Sequence, residues 1–178
     1  MSILKVARMG HPVLRTRARP IEAGEIKGAA VQRLIDDMID TMTEYRGVGL
    51  AAPQVHQSVR LFVAQLDAGE DAESAESEDP IAVINPEIVA VGSEVVEDWE
   101  GCLSIPDIRG RVPRLREIKV RAYDRNGVRI ELGAHDFQAR VIQHETDHLD
   151  GLLFFDRMRA FDSLTFLDEY SRYWLKDD

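Results

Sequence analysis

Gln143-His144-Glu145-Thr146-Asp147-His148-Leu149-Asp150-Gly151 is the stretch on which the reading of this chain turns. Two histidines stand four apart, with a glutamate directly after the first. On a helix that spacing sets both imidazoles on one face, one turn apart. They can then hold one divalent cation, while Glu145 lies beside the remaining coordination position. This is the HExxH arrangement, in which the histidines ligate and the glutamate moves protons for a metal-held water. The local sequence predicts a helix: Asp136 can cap its start, Ala139, Val141 and Ile142 present no breaker, and Gly151 comes where a C′ glycine ends it. The plain alternative is a solvated helix face that happens to carry two histidines, since short motifs also match by chance.

The bulk properties set the frame. A chain of 178 residues, 44% hydrophobic and 30% charged, suits one globular domain over 1–178 with a sizeable core. No run approaches the ~18 apolar residues of a membrane helix, so no membrane contact is expected. The N-terminus, Met1-Ser2-Ile3-Leu4-Lys5-Val6-Ala7, lacks the long apolar region and cleavage site of a secretory signal. A cytoplasmic monomer is the expectation. The single cysteine, Cys102, rules out an internal disulfide framework. A net charge of −10 argues against broad attraction to nucleic acid or anionic membranes, and no direct nucleic-acid binding is expected.

Taken in order, the chain opens with His11-Pro12-Val13-Leu14-Arg15, an extended arm punctuated by prolines. From about Glu25 to Tyr45, Val31, Leu34, Ile35, Met38, Met42 and Tyr45 recur at three- and four-residue steps, which predicts one amphipathic helix. Gly47-Val48-Gly49-Leu50-Ala51-Ala52-Pro53-Gln54 follows, small residues with one amide at the end, and Arg60–Ala64 reads as a buried strand. Residues 67–79 hold seven acidic side chains and no large apolar one, too little burial to offset ordering, so they predict a mobile acidic loop. Ile81–Ile84 and Ile88–Val91 resume the sheet as two short strands. Glu94–Glu97 leads into Trp99-Glu100-Gly101-Cys102-Leu103-Ser104, and Asn126-Gly127 between alternating runs signals a β-hairpin. Leu152–Phe155 reads as a short buried segment. Phe161, Leu164, Leu167, Tyr170 and Trp174 predict a closing amphipathic helix over 161–178, where two cations face five acidic side chains. The total is α+β: antiparallel strands packed around a central HExxH helix.

An HExxH pair needs a third protein ligand. One protease class uses a histidine six residues after the second, but Phe154 stands there and cannot ligate. A second uses a glutamate about twenty residues on, where Glu169 lies on the polar side of the closing helix. Cys102 is the third candidate, since a thiolate suits a borderline-soft cation and Gly101 beside it lets backbone approach. A small buried hydrophobe is the ordinary state of such a cysteine.

Three segments, Gly47–Gln54, Glu100-Gly101-Cys102-Leu103-Ser104 and Gln143–Gly151, resemble in order the three signature motifs of peptide deformylases. The opening His11-Pro12-Val13-Leu14-Arg15 and the pair Asn85-Pro86 are similar to that family too, and the resemblance spans roughly residues 3–160. It implies removal of the N-formyl group from the starting methionine of new polypeptides, releasing formate. It further implies Cys102, His144 and His148 as metal ligands, Glu145 as general base and acid, and the Gln54 amide with the Leu103 backbone N–H as oxyanion stabilisers. Val48, Gly49 and Glu100 are implied around the methionine pocket and the peptide-binding edge, and Arg140 falls near it. Ferrous iron is the implied native metal, with zinc, nickel or cobalt able to replace it. The implied partners are N-formylmethionyl nascent peptides, with transient proximity to the ribosome. A zinc endopeptidase, or a metal- or peptide-binding module without catalysis, is the competing reading. Glu145 and Gln54 speak against the module, because structural metal sites are closed and need neither.

Overall fold

The computed structural model describes residues 2–66 and 79–175. The acidic loop read at 67–79 therefore lies outside the described residues, apart from Asp79.

The polypeptide enters through an arm that includes one 3-10 turn, Pro12–Arg15, where Leu14 is fully buried. Helix α1 (Ala23–Ile26) and helix α2 (Ala29–Glu44) follow. The single helix expected from Glu25 is thus broken at Lys27-Gly28. Gly28 takes an extended conformation as the N-cap of α2, and its N–H donates to the Glu25 carbonyl at 2.8 Å. A side chain there would meet that carbonyl oxygen at 2.9 Å, so the corner requires glycine. The expected apolar stripe is present, with Ile35, Met38 and Met42 buried. Each such side chain contributes about 1.5–3 kcal/mol by leaving water.

Five strands form one antiparallel sheet in the order β1 (Gly49–Ala51), β2 (Leu61–Ala64), β3 (Ile81–Ala90), β6 (Glu117–Tyr123) and β7 (Arg129–His135). Where the sequence suggests two strands, β3 runs through Asn85-Pro86 as one, with its register against β6 shifting between Ile84 and Glu87. Proline supplies no ladder donor and is tolerated at such a bulge. Asn85 uses the irregularity to bond both the N–H and the C=O of Ile21 at 2.9 and 2.8 Å, fastening the arm. The β6–β7 hairpin turns at Asn126-Gly127, as its sequence signalled, with Gly127 at φ +72°.

The second sheet pairs β4 (Val95–Cys102) with β5 (Ile105–Leu115), and β5 with β8 (Thr165–Phe166). Helix α3 (Asp136–Leu149) fills the space between the sheets, packing on β1, β2, β6 and β7 from one and on β5 from the other. Alternation along β2 divides the core. Phe62 joins Val83, Val120, Ile142 and Leu149 on the α3 side, while Leu61 and Val63 join Ile35, Met38 and Met42 on the α2 side.

Two helix expectations need correction. Asp136 does not cap α3: it is the first helical residue, His135 holds the N-cap position, and the Asp136 carboxylate turns to Arg116 at 2.9 Å and His135 at 3.0 Å. Strand β7 runs straight into the helix, so that side chain is drawn across to β6's flank. The closing helix is also shorter than the expected 161–178. Helix α4 spans Leu167–Tyr173 and buries no residue, because the segment before it is extended and paired with β5, Ile108 opposite Phe166. Trp99 meets Tyr170 and Trp174 there, with ring centroids 4.9 and 5.5 Å apart. Among the described residues no helix is long and apolar enough to cross a membrane.

Candidate metal centre

Helix α3 carries His144 and His148 one turn apart on its buried face, with ring centroids separated by 5.0 Å. Cys102 arrives at the end of β4, where the register against β5 shifts between Gly101 and Cys102. Its Sγ lies 3.3 Å from His148 Nε2. One ligand atom from each of Cys102, His144 and His148 falls within 4.8 Å of the others. A thiolate with two imidazoles, converging in a buried pocket, is a donor set that fits a tetrahedral zinc or ferrous site. The other third-ligand candidates lie elsewhere. Phe154 is core, its ring 6.5 Å from that of His144, and Glu169 pairs with Arg172 on α4.

A network of buried charge orients the first histidine. Glu100 Oε2 stands 2.9 Å from His144 Nδ1, which leaves Nε2 for the cluster. Arg114 grips the Glu100 carboxylate with two bonds of 2.8 and 3.0 Å, and Arg140 adds a third at 2.8 Å. Arg114 also reaches Asp147 at 2.5 Å, and Asp147 accepts from Arg157 on its outer side. Glu100 and Arg114 side chains are each 4% exposed, which makes this an interior network and not a surface pair. Burial alone would raise the Glu100 pKa, but the hydrogen bonds from Arg114 and His144 hold it well below the usual carboxylate range. Burial disfavours a charged His144, yet Cys102 and Glu100 push its pKa well above the ordinary value. At His148 burial prevails, with His144 and Arg114 adding to it, and the pKa falls well below. The Nδ1 of His148 has no hydrogen-bond partner among the described residues.

Glu100 was expected at the peptide-binding edge. It touches the cleft, but its carboxylate turns inward to His144. Glu100 and Cys102 stand two apart on β4, and both turn toward α3. Arg140, expected near the methionine pocket, is fixed by the carbonyls of Val112, Val96 and Asp98 in addition to Glu100. Arg114 and Asp147 escaped the sequence reading. The available signal was Asp147 inside the motif, an acidic side chain one residue before a ligand candidate.

Glu145 is 4% exposed, and its Oε2 has no partner among the described residues. Burial raises its pKa to about 7. A carboxyl so tuned can take up and release a proton near neutrality. Gly49 makes room for it: a methyl at that position would lie 2.4 Å from Glu145 Oε1. Gln54 is held by the Ala51 N–H, which donates to its Oε1 at 2.8 Å. The Gln54 NH₂ therefore faces Cys102 Sγ at 3.5 Å and Ser104 Oγ at 3.2 Å. Leu103 follows Cys102 into the same cleft, and Gly47 lets it approach, since a Cβ there would come within 3.0 Å of Leu103 Cδ1. A cavity of about 800 Å³ joins these groups, with Val48, Phe137 and Val141 on its apolar side.

A buried Cys-His-His cluster beside a carboxyl whose Oε2 lacks a partner, with Cys102, His144 and Glu145 on the wall of one cleft, is the kind of site that metal-dependent hydrolases use, here on an α+β scaffold. The chain belongs to the polypeptide deformylase family, which it matches over residues 3–163. It is 46% identical over 158 residues to peptide deformylase 2 of Nostoc sp., covering 89% of this chain and 87% of that protein. Its structure is similar to the Met-Ala-Ser-bound class I type b peptide deformylase of Acinetobacter baumannii, with a TM-score of 0.82 at 39% identity over 89% of this chain and all of that one. The peptide deformylase of Thermotoga maritima gives a TM-score of 0.78 at 40% identity, over 90% of this chain and all of that one. Family membership makes the chain a metal-binding hydrolase and supports removal of N-formyl groups from nascent peptides.

Proposed function

We propose that this chain hydrolyses the formyl group from the N-terminal formyl-methionine of newly made polypeptides, with Cys102, His144 and His148 holding one divalent metal. The observation that carries this reading is Glu145, a buried carboxyl without a partner that shares one cleft with the Cys-His-His cluster. The cation held there supplies Lewis acidity, which polarises the formyl carbonyl and lowers the pKa of water. Glu145 takes the proton of the attacking water and passes it to the departing amine. The Gln54 NH₂ and the Leu103 backbone N–H donate to the oxygen on which negative charge develops. Loss of one such donor typically costs ~10²–10³ in rate.

Val48, Phe137 and Val141 receive the methionine side chain. Glu100 acts through His144 and not on the peptide, keeping Nε2 aimed at the metal. Gly49 leaves Glu145 close against β1, and in this reading the crowding there selects a formyl hydrogen over an acetyl methyl by size. The whole chain, 1–178, serves as one catalytic domain, a cytoplasmic monomer that meets ribosomes transiently and without using the closing segment as an electrostatic anchor. Ferrous iron is the native metal in this reading, although the donor set also suits zinc.

Formate release from formyl-Met-Ala-Ser, set against its acetylated counterpart, tests the activity. Turnover of the formyl peptide alone is expected, and equal turnover or none would end the proposal. Reconstitution of the apoprotein without oxygen tests the metal. The iron form should be fast and decay in air, nickel and cobalt forms should last, and a fastest zinc form would overturn the assignment.

A further inference from the structure

Most arginines of the described chain are neutralised by a carboxylate. Arg15 pairs with Asp156, Arg19 with Glu25, Arg60 with Asp150, Arg125 with Asp36 and Arg157 with Asp147. Lys5, Arg8, Arg46 and Arg109 are different. None makes an ion pair among the described residues. That is true also of Lys27, Arg33, Arg111, Arg129 and Arg159, but of the whole set only these four line the cleft whose wall includes Cys102 and His144.

Their positions are fixed by backbone. Lys5 and Arg8 flank Ala7 on the arm, where Ala7 N–H donates to Gln54 C=O at 2.7 Å and Met9 N–H to Ser104 C=O at 2.8 Å. Arg46 sits in the left-handed corner after α2, at φ 53°, and the next residue closes that corner through a Gly47 N–H bond to Met42 C=O at 2.9 Å. Arg109 pairs in register with Gly101, and its guanidinium lies over that glycine, where a Cβ would come within 2.0 Å of Nη1. Among the described residues the guanidinium donates one hydrogen bond, to the Ile108 carbonyl. The carboxylates of the cleft do not cancel this charge. Glu100 is taken by two arginines, Glu145 lies at the cluster, and Asp107 alone stands among the cations.

The imbalance is local and runs against the chain as a whole. With 32 acidic and 22 basic side chains the chain is net negative, although seven of the acidic ones fall within residues 67–79. Lys5, Arg8 and Arg46 are exposed, so they stand at the mouth of the cleft and not at its floor. A peptide held with its first residue at the cluster would reach them with the residues that follow. We propose that this cationic mouth is a subsite for acidic side chains downstream of the formyl-methionine, so that acidic N-termini are preferred substrates. The inference rests on the deformylase reading and names the substrate class of that same site. The charges act alike on bound substrate and transition state, so the preference resides in KM.

The test uses three amidated peptides, formyl-Met-Ala-Ser-Ser, formyl-Met-Ala-Asp-Asp and formyl-Met-Ala-Lys-Lys, which removes the terminal carboxylate as a rival anion. At low salt the acidic peptide should exceed the neutral one about fivefold in kcat/KM, the scale of a few solvent-exposed charge pairs. The lysine peptide should fall below the neutral one, and all ratios should move toward one at about 0.5 M salt. The triple variant Lys5→Gln/Arg8→Gln/Arg46→Gln should abolish the acidic preference. Lys27→Gln/Arg33→Gln/Arg159→Gln changes net charge equally, away from the cleft, and should keep it. Equal kcat/KM for all three peptides overturns the inference while leaving the deformylase reading intact, as does a preference that survives in the first triple variant or vanishes in the second. No formate from any peptide breaks the deformylase reading, and the inference falls with it.

Discussion

Helices α3 and α4 were both expected from sequence, and they fare differently. Helix α3 runs 14 residues and buries ten of them, among them both histidines and Glu145. Helix α4 runs seven residues and buries none. What differs is the surface each meets. Helix α3 lies between two sheets and is wrapped on both sides, whereas the main contacts of α4 are with β5, β8 and Trp99. An isolated helix of such length is marginal in water, and packing supplies the stability that propensity does not. The lesson for the site is that its chemistry sits on the element with the deepest support.

That contrast can be broken most forcefully at Glu100. Glu100→Ala leaves Arg114 and Arg140 buried without their shared carboxylate, which should cost about 3–5 kcal/mol of stability. Denaturant unfolding of the metal-free protein measures it, and a loss below about 1 kcal/mol would show that the network does not brace α3. Glu145→Gln probes the same helix through chemistry. Metal content should stay stoichiometric while kcat falls about 10²-fold or more, the upper part of which is beyond simple positioning. Metal lost together with activity would make Glu145 a ligand instead. Gly49→Ala sharpens the point from the facing strand, because the new methyl must displace Glu145. A drop of about tenfold to 10²-fold in kcat/KM with an unchanged unfolding curve is expected, and wild-type kinetics would refute the close approach. The smallest effect belongs to the outer helix. Trp174→Ala removes one edge contact to Trp99 and should shift stability by about 0.5–1 kcal/mol; a loss as large as that of Glu100→Ala would erase the distinction between the helices.

Much of the site was legible in the chain because its parts are local. The i, i+4 histidines require only a helix, and Gly151, at φ +75°, ends it where a left-handed residue was expected. Cys102 was legible as a candidate through its thiol and the glycine beside it, and the family motif set it above the buried hydrophobe such a cysteine ordinarily is. Less legible were the partners that come from far along the chain. Arg114 is fourteen residues from Glu100 and thirty-three from Asp147, and no spacing rule links them. The boundary errors have two causes. The break at Gly28 is local, a Gly28 N–H bond to the Glu25 carbonyl, whereas the role of Asp136 and the shortening of α4 each reflect a long-range contact that overrode local preference: the pull of Arg116 and the pairing of β8 with β5.

The sequence by itself determined the α+β class, the helix that presents His144 and His148, and the family to which the chain belongs, because period, turn chemistry and short motifs act over a few residues. Only the tertiary structure decided that Cys102 meets that pair, that the Glu100 carboxylate faces His144, and that Lys5, Arg8, Arg46 and Arg109 line one cleft. Those outcomes depend on which distant segments the sheets bring together, and burial then fixes charge and direction at positions whose residue types alone leave them open.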